Sequence, residues 1–327
     1  MAHNLATTNG KTAMMYTGET PWHKLGTRLE EPPTAQEAMV ASGLNYEVEL
    51  RQLQTIHGTM VPQRKATVRA DTGQVLGVVG NNYQPIQNSQ AFCFLDALVA
   101  KGQVRYHTAG ALGQGERIWL LAKLPKDIRV NQTDDLINKF LLLSNTHDGT
   151  TALRVLFTPI RVVCQNTLNL AERYGAGQGI AIQHKGDLDT KIREAQRVLG
   201  LTHQFYELAE ARINHLTSHQ PTVHEVLSYF EQVYPDPVDT DNSRAFKVRD
   251  HLLALFENGM GQELPGIRGT TWAAYNAVTE WVDHHRPTRS ANPNERASRR
   301  LNSAWFGEGA RIKGRAWDLA LEMALAV

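Results

Sequence analysis

The stretches whose residue types could do chemistry each fail on a neighbour. Gly175-Ala-Gly-Gln-Gly179 has the glycine density of a nucleotide loop. A dinucleotide loop follows a strand and opens a helix, so that helix N–H groups meet the pyrophosphate. This run follows a predicted helix and lacks the Gly-Lys-Ser/Thr of a P-loop; it reads as a helix end and linker. Gly110 to Gly115 sits inside a predicted hairpin and fails for the same reason. His224-Glu225 begins a zinc-protease helix, but Ser228 stands where the second His must face the metal. Asp283-His284-His285 has the residue types of a metal-dependent phosphoesterase or nuclease, yet it ends a helix, where the dipole favours cationic side chains. Further metal-binding aspartates at suitable spacing are missing. Asp239-Thr-Asp-Asn-Ser243 imitates a calcium loop until Arg244, where the turn needs Gly. Cys93 and Cys164 each fall within an apolar helical face and read as packing. The sequence predicts no catalysis, no cofactor and no metal.

What remains is charge, sorted by strand alternation. Lys65, Thr67 and Arg69 share one face of a strand, with Ala66 and Val68 opposite. Arg105 and His107 share a face of the next hairpin. Arg117, Trp119, Leu121 and Lys123 stand opposite Ile118, Leu120 and Ala122. Arg154 faces away from Leu153, Val155 and Phe157. If these strands form one sheet, Lys65, Arg69, Arg105, Arg117, Lys123 and Arg154 surround Trp119. Cations beside an aromatic platform are what single-stranded nucleic acid needs, because they neutralise phosphates while a ring stacks on a base. Two blander arrangements fit as well: antiparallel sheets commonly keep one solvated, charged face, and Trp119 with Leu121 could be covered by helices. A second cluster runs through Arg286, Arg289, Arg296, Arg299, Arg300, Arg311, Lys313 and Arg315. Only Glu295 and Glu308 oppose it. It is a local electrostatic footprint for nucleic acid or an acidic protein, or else a solvated helix face.

The elements that must position these residues follow from periodicity. Residues 1–40 read as an N-terminal arm around Trp22, with a capping box at Thr34 and Glu37. From Tyr46 the period is two. Hairpins are predicted around Asp71-Thr-Gly73, around Gly110–Gly115 and around His147-Asp-Gly149. A helix is predicted from about Ser89 to Ala100, and another from Thr158 and Pro159 through Ala171. Hairpins with helices between them indicate an antiparallel α+β sheet domain, residues 41–178. Residues 185–327 read as a mostly α-helical C-terminal domain. It contains a heptad run over 187–217, a capping box at Thr222 and Glu225, and helices over about 242–257, 271–284, 294–304 and 310–327.

The chain has 327 residues, 42% hydrophobic and 20% charged, which suits two domains. Thirty-four Lys and Arg against 33 Asp and Glu leave a net charge of +1. Bulk charge therefore does not hold the chain on nucleic acid or an anionic membrane; a local patch must. No apolar run is long enough to span a membrane. The start, Met1-Ala2-His3-Asn4, lacks signal-peptide features, and two cysteines make no disulfide framework. A cytoplasmic location in a bacterial host is the expectation.

Four stretches resemble a family of phage and plasmid proteins, domain of unknown function 932: Gly18-Glu-Thr-Pro-Trp-His-Lys-Leu-Gly26, Thr158 to Leu170, Gly269-Thr-Thr-Trp-Ala-Ala-Tyr-Asn-Ala-Val-Thr-Glu-Trp281, and Trp305-Phe-Gly-Glu-Gly-Ala310. The resemblance implies a mobile-element origin and brings no catalytic residues. The order hairpin, helix, hairpins, helix is also similar to Rad-type single-strand annealing proteins, which implies ring-like homo-oligomers holding single-stranded DNA in a basic groove. The expectation is a non-enzymatic single-stranded DNA binding and annealing protein acting as a homo-oligomer. The alternative is an interaction protein that binds a host protein to blunt a defence system.

Overall fold

The structure, a computed structural model, describes residues 5–8, 10–18, 25–99, 104–161, 166–167, 180–185, 190, 202–236, 243–287, 303 and 307–325. Trp22, the glycine run 175–179, Cys164, the predicted helix 294–304, and Arg289, Arg296, Arg299 and Arg300 lie outside the described residues. So does most of the heptad run before Thr202.

In chain order the strands are β1 (Thr7–Thr8), β2 (Lys11–Thr12), β3 (Met14–Thr17) and β4 (Thr27–Leu29), then helix α1 (Ala35–Ala41). Next come β5 (Val48–Gln54), β6 (Met60–Arg69), β7 (Val75–Gly80) and helix α2 (Asn88–Val99). β8 (Arg105–Leu112), β9 (Arg117–Lys123), β10 (Ile128–Arg129), β11 (Leu136–Asn138), β12 (Phe140–Thr146) and β13 (Leu153–Phe157) follow. β14 (Ile160–Arg161), β15 (Asn166–Thr167) and β16 (Ile180–Ile182) complete the strands. Beyond them lie helices Thr202–Ser218, Val223–Val233, Ser243–Asn258, Thr271–Glu280 and Glu308–Leu325. The chain is α+β, with antiparallel sheets and helices concentrated toward its C-terminal half.

Two compact units result, and each draws on three separate stretches. The first comprises residues 1–125, 140–157 and 179–201; the second comprises 126–139, 158–178 and 202–327. The expected sequential split near 178–185 gives way to this interleaved one. The expected N-terminal arm is also corrected. Met14, Met15 and Tyr16 are buried, and β3 lies in the main sheet beside β8. An apolar run of that kind is stable only when removed from water.

The first unit holds a seven-stranded sheet in the order β16-β13-β12-β9-β8-β3-β4, antiparallel except for β3 with β4. One face carries Ala109, Ile118, Leu120, Leu141, Leu143 and Val155, in one core with Phe92 and Leu95 of α2. β12 reads Phe-Leu-Leu-Leu-Ser-Asn-Thr and is buried at every position; its apolar run Phe140 to Leu143 is the pattern of a strand covered on both sides. Beside β7, β5 and β6 form a second, three-stranded sheet. The helix predicted from Thr158 is a further correction. Ile160 and Arg161 pair with Thr167 and Asn166, and Arg161 also faces Ile137 of β11. Ile160 is β-branched and suits a pleated strand better than a helix; residues 162–165 and 168–171 of the predicted helix lie outside the described residues.

In the second unit, Thr271–Glu280 is buried along its whole length and packs against helices Glu308–Leu325, Ser243–Asn258 and Thr202–Ser218. Its last turn widens to a π-helix over Trp281–His285. The Trp272 indole N–H donates to Asp135 at 3.0 Å, which satisfies both buried groups.

Gly110 shows how tightly the second face of the main sheet is packed. A Cβ there would lie 2.4 Å from the Trp119 ring and 2.6 Å from the Ala13 carbonyl oxygen. The indole lies across the space that a side chain would fill. Gly110→Ala is therefore expected to cost about 1–3 kcal/mol by overpacking, and Trp119→Ala about 3–5 kcal/mol by cavity formation. Chemical denaturation measures both; a Trp119 variant of unchanged stability would contradict this packing.

Candidate nucleic-acid interface

The predicted cations occupy two sheets rather than one. On the main sheet the register does gather part of the set. Arg105 pairs with Lys123, Lys123 pairs with Phe140, and Arg154 pairs with Ser144, which faces Trp119. Arg117, Trp119 and Lys123 thus share a face with Arg154, as alternation predicts. A bulge at His107 interrupts the alternation in β8. The centre of this face is closed, however. Trp119 is 4% exposed, and Met14, Leu121, Phe140 and Leu142 are buried with it. Arg105 and Arg154 are exposed at the margins, while Arg117 and Lys123 are half-buried. The aromatic platform is a core residue: an indole finds more stabilisation in apolar packing than in solvent.

On the three-stranded sheet both faces of β6 are covered from Ala66 to Arg69: Ala66 and Val68 are buried as alternation predicts, but Thr67 and Arg69 are buried too. Lys65, Thr67 and Arg69 share their face with Val48 and Val79, both buried in the body of the unit. Arg69 is 3% exposed. Its Nε and Nη2 donate to the two Asp71 carboxylate oxygens at 3.0 and 2.8 Å, and Nη1 donates to the Gln114 carbonyl at 3.2 Å. The guanidinium carbon lies 3.9 Å from the centre of the Tyr46 ring, and Tyr46 donates its hydroxyl to the Gly115 carbonyl at 2.7 Å. Burial pushes the Tyr46 hydroxyl up to about 12. Arg69 is a structural clamp: each of its three nitrogens is bonded within the fold, and its burial keeps it from phosphate. The reason is a strong local partner: Asp71, two residues on, makes inward burial of the cation affordable.

Beyond this clamp the two strands run out as a ribbon. Strand β7 pairs with β6 only between Arg64 and Val68. Between the pairs Gln52–Lys65 and Gln54–Met60, β6 sets residues 61–64 against Leu53 alone. Gln63 takes a left-handed φ of 58° in this bulge, next to Pro62. At the tip, Thr55 and Thr59 close the turn through Gly58, and residues 54–60 are all exposed. From Leu50 to Ala70 the chain contains no Asp or Glu. Arg51 is tied to Glu49 at 2.9 Å; Arg64 is exposed and Lys65 half-buried. Sequence reasoning missed this ribbon, although its acid-free run was visible.

The base of the ribbon is fixed by a second buried polar group. Asn88 donates through Nδ2 to the carbonyls of Leu44 and Tyr46, so its Oδ1 must accept from His147 Nε2–H at 2.9 Å. His147 is fully buried, and His184 stacks on Tyr83 with ring centres 4.8 Å apart. Burial depresses all the internal imidazoles, His147 to about 3 and His107 to about 4, and His184 in the same direction.

In the second unit, the described part of the Arg286–Arg315 cluster is occupied internally. Arg286 donates to Ser303 Oγ at 3.0 Å, Arg311 pairs with Glu308, and Arg315 donates to the Gln232 carbonyl. Lys313 is buried and donates to Asp283 at 2.8 Å. Asp283 is thus engaged in a buried ion pair; among the described residues there is no group of three His, Cys, Asp or Glu placed to hold a metal ion. Cys93 is exposed, a correction to its expected packing role; α2 turns its Phe92, Phe94 and Leu95 inward instead.

Comparison with known proteins gives a match to the family model of domain of unknown function 932 over residues 75–305. Two curated relatives of Escherichia coli (strain K12), UPF0380 protein YfjQ and UPF0380 protein YafZ, are each 36% identical over 72 residues. That segment is 22% of this chain and 25% of each relative, so the match spans about a quarter of their length. No solved structure matches. These matches carry no indication of Rad-type annealing proteins. No helix among the described residues is long and apolar enough to cross a membrane.

Two outcomes test this picture. Each neutral buried His takes up a proton near pH 6.5 only in the unfolded chain, so stability falls as pH drops from 6.5 toward the depressed values, by up to about 1.4 kcal/mol per unit per site. Melting from pH 7 to 5 is expected to show this loss, and His147→Gln to remove one site's share of it, His107 and His184 keeping theirs. Separately, Asp283→Ala is expected to cost about 3–5 kcal/mol by orphaning Lys313, and Lys313→Met in the same chain to recover most of it. A metal-dependent melt lost with Asp283 would refute the ion-pair role.

Proposed function

The chain belongs to the family of domain of unknown function 932, and from that premise we propose that it binds single-stranded DNA for a phage or plasmid. It acts in the bacterial cytoplasm as a homo-oligomer without catalysis, holding strands for annealing or recombination. The observation that carries this reading is the acid-free, exposed ribbon over residues 50–70, with Arg64 and Lys65 at its root. Exposed Arg105 and Arg154 on the main sheet add to the positive surface. Phosphate binding needs cations that reach solvent, which excludes the buried Arg69 and favours these positions. The host-protein reading relied on the Arg286–Arg315 cluster. Its described cations are engaged within the chain, so the ribbon favours DNA.

Binding of a labelled single-stranded oligonucleotide, followed as salt rises from about 50 to 200 mM, tests the proposal. Affinity is expected to fall steeply. Replacing Arg64 and Lys65 by Ala is expected to weaken binding and lower the log–log slope by about 0.7 per lost contact. Negligible binding by the unaltered protein at the lowest salt would overturn it.

A further inference from the structure

The tip of the ribbon is apolar. Ile56 is 95% exposed, the most exposed of the large hydrophobic side chains described, and Met60 beside it is 48% exposed. A single exposed Leu or Val on a surface is ordinary. An isoleucine at the end of a two-stranded projection is a different case, because an isolated hairpin gains little stability in water and no fold requirement puts an apolar residue there.

The ribbon is also guarded against the commonest partner of a free strand, another strand. Pro62 removes a donor from β6, and Gln63 at φ 58° turns the backbone out of the pleat. The four-against-one bulge breaks the ladder below the tip. Prolines, bulges and exposed cations are the devices that prevent edge-to-edge pairing. The occupant therefore contacts side chains and charge, not a strand edge. With no acid from Leu50 to Ala70, and with Arg64 and Lys65 at the root, its complementary charge is negative. A two-stranded ribbon fits a groove of the double helix, and proteins that enter grooves insert apolar side chains between base steps.

We propose that the ribbon over residues 51–65 enters a groove of duplex DNA, where Ile56 inserts between adjacent base pairs while Arg64 and Lys65 hold flanking phosphates. This rests on the DNA-binding reading above and extends it from single strands to the duplex that annealing produces. Exposed Gln52 and Gln63 flank the groove floor as neutral hydrogen-bonding groups. Ile56 unstacks the step it enters, and the duplex bends away from it.

The test uses the full-length protein with a short duplex carrying 2-aminopurine, whose fluorescence rises on unstacking, and with the unpaired strand of the same sequence. The unaltered protein is expected to bind the duplex and raise the signal. Ile56→Ala is expected to abolish the rise and weaken duplex binding about 5- to 10-fold, the effect of one lost insertion, with the melting curve and the salt dependence set by Arg64 and Lys65 retained. A full signal in Ile56→Ala overturns the insertion. Binding of the single strand but not the duplex overturns it while sparing the reading it rests on; binding of neither sinks both. A change of subunit number in Ile56→Asp, with duplex unstacking intact, overturns it in favour of a protein contact.

Discussion

A guanidinium removed from water must find acceptors for its donors, and the way Arg69 meets that requirement sets the base of the hairpin. Asp71 takes two donors from within the same turn, and the Gln114 carbonyl takes another from the β8–β9 turn, 45 residues further on. One side chain therefore ties the three-stranded sheet to the seven-stranded one. The Tyr46 ring 3.9 Å from its guanidinium carbon and the Asn88–His147 contact add to this anchoring. At Gly77, a Cβ would come within 2.5 Å of the Asp148 backbone, so β7 sits directly on the turn between β12 and β13. A projecting ribbon can present its tip in a defined direction only from a base of this rigidity.

Most of the fold could be read from local chemistry. Asp71-Thr-Gly73 and Asp148-Gly149 do make hairpin turns, and Thr34 with Glu37 and Thr222 with Glu225 make full capping boxes. These signals lie within a few residues of what they specify. Alternation also told correctly which residues of β9 share a face. It could not tell which face is closed, because closure depends on distant partners. Arg69 goes inward for the sake of Gln114, and Trp119 is accommodated by Gly110 on the next strand. The Thr158 helix failed for a related reason: Pro159 suits the start of either element, and β11 decided the outcome by offering an edge.

The segment Gly269 to Trp281, one carrier of the family resemblance, forms the buried central helix of the second unit. Its Thr, Asn and Glu side chains serve that interior. Asn276 donates to the Trp272 carbonyl, and Glu280 accepts from the Met260 amide. Polar residues in an otherwise apolar motif can look like chemistry in a sequence and prove to be part of the packed interior of a fold. Asp283 belongs with them. The exposed hairpin of glutamines, threonines and one isoleucine lies instead where no motif drew attention.

The interleaving of the two units bears on how the chain is made. Strand β16 completes the first unit's sheet from beyond residue 179, after two stretches of the second unit have left the ribosome. Neither unit is a contiguous gene segment, so neither can be exchanged between genomes by a single crossover or matured before most of the message is translated. For a protein of this build, inheritance and synthesis both proceed as one piece.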